Sequence, residues 1–156
     1  MKTILLIIFL SISYLSLNAQ TNYNSGNQEL DKDLNSINAD AKLDLASFKT
    51  NLRLSYSVSE KKIDYMSVGL KMQPAEIYFA LEIGKYSKRS IDEVLVVYQK
   101  EKSKGWGYIA RQMGIKPGSE AFHALKNNAS GKAKKNKGNH GNKGNKGNKN
   151  NNGKKK

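Results

Sequence analysis

Ser90-Ile91-Asp92-Glu93-Val94-Leu95-Val96-Val97-Tyr98 is the stretch on which the fold class turns. By propensity alone, Leu95-Val96-Val97-Tyr98 reads as a strand, because β-branched and aromatic side chains suit a pleated surface. The residues before it argue otherwise. Ser90 and Glu93 have the spacing of a capping box, in which the serine hydroxyl accepts from the Glu93 amide and the Glu93 carboxylate accepts from the Ser90 amide. Ile91, Val94, Leu95 and Tyr98 then fall on one face of a helix, and Lys100, Lys102 and Lys104 follow where a helix C-terminus favours cations.

Working outward, the same punctuation recurs. Upstream, Leu45, Phe48 and Leu52 are spaced as one helical face. Ser59 is placed to cap a helix carrying Ile63, Met66 and Leu70, with Gly69 near its end. Pro74 suits the first turn of a helix whose Ile77, Ala80, Leu81 and Gly84 face inward, since its missing N–H is harmless there. Downstream, Trp106, Ile109, Ala110 and Met113 form a stripe that Gly114 ends as a left-handed C-cap. Pro117-Gly118 breaks the chain, and Ser119 caps a last short helix with Phe122 and Leu125 inward. No stretch alternates with period two between hairpin turns. The expectation is an all-α fold, a small orthogonal bundle of five to six short helices, with an N-terminal signal peptide and a disordered C-terminal tail.

The two ends carry the strongest compositional signals. Met1-Lys2, the apolar run Ile4–Leu17 and the small Ala19 have the three-part form of a secretory signal. Fourteen helical residues rise only about 21 Å, short of a ~30 Å hydrocarbon core, so a membrane anchor fits less well. Residues 1–19 are therefore expected to be a signal peptide, 20–39 a polar linker, 40–126 the helical domain and 127–156 a tail unable to fold. Cysteine is absent from the chain, which excludes disulfides, thiolate metal sites and a lipid anchor on a mature N-terminal cysteine. The expected location is the periplasm, the cell surface or the medium.

From Gly131 onward the chain is almost wholly Lys, Asn and Gly, with ten lysines and no acid, against a formal charge of +14 for the whole sequence. These lysines are Lys132, Lys134, Lys135, Lys137, Lys143, Lys146, Lys149, Lys154, Lys155 and Lys156. Glycine recurs every third residue at Gly138, Gly141, Gly144 and Gly147, but four triplets without proline do not support a collagen helix. A self-repelling coil is expected, with affinity for anionic polymers or surfaces: nucleic acid, acidic polysaccharide or an anionic membrane. A tail that only solubilises is the alternative.

The densest run of distinctive residues is Gly105-Trp106-Gly107, Ile109-Ala110, Gly114-Ile115-Lys116-Pro117-Gly118-Ser119 and Phe122-His123-Ala124-Leu125-Lys126. In these residues the chain resembles a group of short exported bacterial proteins of Bacteroidetes type, over about residues 55–126. The resemblance implies export and a helical fold, and implies no chemistry. Ile109-Ala110 with Gly114-Ile115 is also similar to the first helix and turn of helix-turn-helix DNA readers. That reading is weakened by Glu120 at the start of the would-be recognition helix. Trp106 suits either a core position or an exposed stacking platform, and a lone tryptophan in a small bundle favours the core.

Catalytic signatures are missing. His123 and His140 have no partner at metal-ligand spacing, and there is no nucleophile elbow or phosphate loop. Glu76 and Glu82 are six residues apart on one helix and so face different ways. Asp92 and Glu93 are explained by capping. No enzyme, no cofactor, no metal and no small-molecule substrate are expected. Lys100, Lys102, Lys104, Arg111 and Lys116 read as a solvated face or, alternatively, an added basic patch. Three functions remain: polyanion binding through the tail, an envelope protein-interaction module whose bundle holds a partner, and a helix-turn-helix DNA-binding protein.

Overall fold

The computed structural model describes residues 21–140. Among them all the regular structure is helical, with no strand. Seven α-helices follow in order: α1 Gln28–Leu43, α2 Leu45–Tyr56, α3 Glu60–Asp64, α4 Pro74–Ser87, α5 Ile91–Glu101, α6 Trp106–Gln112 and α7 Glu120–His140. A single π turn, Tyr65–Gly69, continues α3, and a 3-10 turn, Lys102–Lys104, follows α5. The expected signal peptide, residues 1–19, and the part of the expected tail beyond 140 lie outside the described residues.

The predicted helix starts are in place. Ser59 accepts from the Lys62 amide at 3.2 Å. Ser90 and Glu93 form the reciprocal capping box at 3.2 and 2.9 Å, which settles the Leu95–Tyr98 segment as helix. Pro74 opens α4, and Ser119 accepts from the Phe122 amide at 3.2 Å. Gly114 adopts φ +89°, a conformation that costs a residue with a Cβ.

Helix α4 is the axis of the core. Every residue from Ile77 to Gly84 is buried, whereas a surface helix would bury only a stripe. Helices α1, α2, α5 and α7 pack around it, α7 lies along both α1 and α4, and α6 sits against α5. Such an axis demands the near-continuous apolar run Ile77-Tyr78-Phe79-Ala80-Leu81, and the sequence supplies it.

Five expectations are corrected. The described part of the expected linker, residues 21–39, is not a linker: α1 buries Leu30, Leu34 and Ile37 completely, so this Asn-rich segment is part of the core. The bundle has seven helices among the described residues, not five or six. The folded part does not stop at 126, and residues 127–140 are helical, not disordered. The last helix is accordingly not short but 21 residues long, burying Ala129 and Ala133 beyond Leu125. Leu45, expected to face inward with Phe48 and Leu52, is exposed at the first position of α2.

Candidate functional site

The Gly105-Trp106-Gly107 motif is a structural knot. Trp106 is 3% exposed. Its ring stacks on Tyr98 with centroids 5.2 Å apart and meets Phe79 edge-on at 5.6 Å. The indole Nε1 donates to Glu76 Oε1 at 3.3 Å. The core reading of Trp106 therefore holds, and no face is free to stack on a base or sugar. The flanking glycines answer a need the sequence did not reveal. The first amides of a helix have no intrahelical partner. At α6 those of Trp106 and Gly107 donate to the carbonyls of Tyr23 and Asn24, each at 2.9 Å. A Cβ on Gly105 would lie 2.3 Å from Asn24 Cβ, and one on Gly107 would lie 2.5 Å from Ser25 O. Only glycines admit this N-terminal strap, whose own Tyr23 is buried.

The rest of the motif shapes the turn between α6 and α7. Ile109 and Ala110 are buried, and the Ile115 amide returns to the Ala110 carbonyl at 2.9 Å. Pro117 is exposed, Gly118 has φ +77°, and Ser119 caps α7. Helix α7 packs along α1 and α4 instead of forming a close pair with α6. The two helices thus lack the mutual packing on which a helix-turn-helix depends.

The C-terminal lysines divide three ways. Lys143, Lys146, Lys149, Lys154, Lys155 and Lys156 lie outside the described residues. Lys134, Lys135 and Lys137 lie on α7, and the first two are exposed. Lys132 is turned to the body. Its ammonium sits 5.1 Å from the Phe48 ring centroid and 5.3 Å from that of Tyr78, a cation–π geometry. Burial pushes its pKa down, opposed by the nearby Glu82 carboxylate. Lys132 is thus engaged by the fold and is less free than its neighbours to meet a polyanion.

Glu82 is the residue whose role the sequence reading missed. It is 2% exposed, and its two carboxylate oxygens accept from the Tyr56 hydroxyl and from Asn128 Nδ2, the latter at 2.7 Å. Asn128 Nδ2 also reaches the Tyr86 hydroxyl at 2.8 Å. A buried carboxylate is tolerable only when its oxygens are satisfied, and here the donors come from α2 and α7. The signal was present: one acid inside the apolar run Ile77–Ile83. Glu76 is likewise occupied, by Trp106 Nε1 and by the Gln73 amide at 2.7 Å. Neither acid faces a cleft with the other, so the pair does not form acid–base machinery.

His123 is exposed on α7, and no group of three His, Asp or Glu able to hold a metal occurs among the described residues. In the basic run, Lys104 pairs with Glu101 at 2.8 Å and lies 4.5 Å over the Tyr108 ring. Arg111 approaches the same ring at 5.8 Å. Lys100, Lys102 and Lys116 are exposed. No described helix is long and apolar enough to cross a membrane. No family model matches the chain, and no curated protein or solved structure shows significant similarity to it.

Proposed function

We propose that the chain is an exported, non-enzymatic protein that binds an anionic polymer or surface through its lysine-rich C-terminal segment, with the helical bundle as the anchor. The observation that carries this reading is the run of ten lysines without an acid from Gly131 onward, which begins on a helix seated against the core. Such a segment holds phosphate, sulfate or carboxylate groups by charge and counterion release, without reading sequence. Nucleic acid, acidic glycan and anionic envelope surface share that chemistry.

The test compares residues 21–156 with 21–140 on immobilised heparin and DNA across a salt series. The cut is placed at 140 because Ala129 and Ala133 belong to the core. The shorter chain should elute at markedly lower salt, and equal elution would overturn the reading. A protein-interaction role is the second reading. It is favoured by the exposed Leu54 and Val68, at 75% and 72%. If it is right, Leu54→Ser with Val68→Ser abolishes partner capture and loss of residues 141–156 does not.

A further inference from the structure

Two corners of the bundle are built alike. Helix α2 ends at Tyr56; Ser57 is left-handed at φ 50°, Val58 follows, and Ser59 caps α3. Helix α4 ends at Ser87; Lys88 is left-handed at φ 57°, Arg89 follows, and Ser90 caps α5. The Lys62–Asp92 ion pair, 2.5 Å, ties α3 to α5 beside them. Between the corners lies an open cleft of about 640 Å³. Val58, Leu81 and Ile91 contribute apolar surface to it, and Lys85, Lys88 and Arg89 contribute cations. Ser55, Ser57 and Ser59 bring hydroxyls to the same cleft.

The charge here is not balanced locally. Asp92 is committed to Lys62, and Glu93 to Arg89 at 3.1 Å and to Ser90. Neither Lys85 nor Lys88 takes part in a described ion pair; Lys85 lies 5.3 Å over the ring of Tyr86, which leaves Lys88 the less committed of the two. Lys88 also occupies a backbone conformation that a helix end ordinarily gives to glycine. A side chain there is held against its own steric preference, and Lys88 is one of the residues that line the cleft.

We propose that this cleft binds one anionic sugar residue of an acidic polysaccharide. The apolar surface meets the C–H face of the ring, the serines meet its hydroxyls, and Lys85 and Lys88 hold its carboxylate or sulfate. A nucleobase would look for an aromatic face on which to stack. The aromatic residue at the cleft is Tyr56, which is committed edge-on to Tyr78 at 6.5 Å and by its hydroxyl to Glu82. The proposal rests on the polyanion reading for the class of polymer and adds to it a site on the folded body.

The test titrates the full chain with a heparin-derived sulfated disaccharide, a neutral disaccharide and a four-residue oligothymidylate, following backbone amides by NMR. The sulfated disaccharide should shift Ser57, Val58, Lys88 and Arg89, and the neutral one should not. Lys88→Gly should weaken that binding about tenfold, the worth of one charge-assisted contact, while the melting temperature stays level or rises because glycine relieves the left-handed backbone. Absence of shifts at these amides overturns the site, as does unchanged affinity in Lys88→Gly. Stronger shifts from the oligothymidylate overturn the sugar assignment. Should the disaccharide fail while residues 141–156 still govern heparin retention, the cleft falls and the tail reading stands. Should the cleft bind while loss of those residues changes nothing, the reverse holds.

Discussion

The two ends of the described chain are held to the body by opposite means. At the N-terminal end, α1 inserts Leu30, Leu34 and Ile37, all fully buried, and the strap at Tyr23–Asn24 completes the amides of α6. At the C-terminal end, α7 buries Leu125 and, beyond it, only Ala129 and Ala133, with Ala121 and Phe122 half-buried against the core in its first turn. Burying a leucine or isoleucine contributes about 1.5–3 kcal/mol, and an alanine much less. Helix α7 therefore depends on close approach and on the polar hub of Glu82, Tyr56, Asn128 and Tyr86. A hub of buried polar groups is stable only while every member is satisfied. The helix that leads into the basic segment is thus the more easily loosened of the two ends.

Breaking the N-terminal end should have the largest effect. Leu34→Ala leaves a cavity at a fully buried site and should cost about 2–5 kcal/mol, read as a global loss in denaturant unfolding. A cost below about 0.5 kcal/mol, the range of a surface change, would show that α1 is peripheral after all. Asn128→Ala should be milder, about 1–3 kcal/mol, because it leaves Glu82 buried with one donor fewer. Its hydrogen-exchange signature sharpens the comparison. Amides of α7 should lose protection first, and α1 should keep its own. Equal loss at both ends would mean that α7 is not held separately.

The smallest effect is one of pH. Burial raises the hydroxyl pKa of Tyr23, Tyr56, Tyr78 and Tyr98, the last to about 12 from 10.0. A group whose folded pKa is raised contributes stability in full below its unfolded pKa and loses it as pH climbs toward the folded value. On the alkaline side, stability should therefore be level from neutral pH to about pH 9 and decline beyond about pH 10. Lys132, whose pKa burial lowers, works in the opposite sense as one group against four. Chemical unfolding on either side of pH 10 checks this, and a level profile would contradict the burial of these hydroxyls.

Much of the helical punctuation was legible because caps are local chemistry. Ser59, Ser90, Ser119, Pro74 and Gly114 each act within a few residues of themselves, and each is where the sequence places it. What escaped is what composition disguises. Leu30, Leu34 and Ile37 have helical spacing, but their Asn- and Asp-rich surroundings resemble a linker. Leu125, Ala129 and Ala133 repeat every fourth residue, but alanines carry little hydropathy, and Gly131 in their midst weakens a helix by about 1 kcal/mol. The strap and the Glu82 hub join residues distant in sequence. Asn24 meets Gly107, and Tyr56 and Asn128 meet Glu82, pairings that no local spacing announces. Of the site, the lysines were legible as charge. Their division into an engaged Lys132 and exposed neighbours was not.

The most direct test of the central claim is the salt dependence of binding to a defined anionic polymer, measured for residues 21–156 and 21–140. The account predicts that the logarithm of the affinity falls linearly with the logarithm of salt concentration for the longer chain, and that removing the six lysines beyond 140 makes the slope several units shallower. Identical slopes and affinities for the two chains would contradict it.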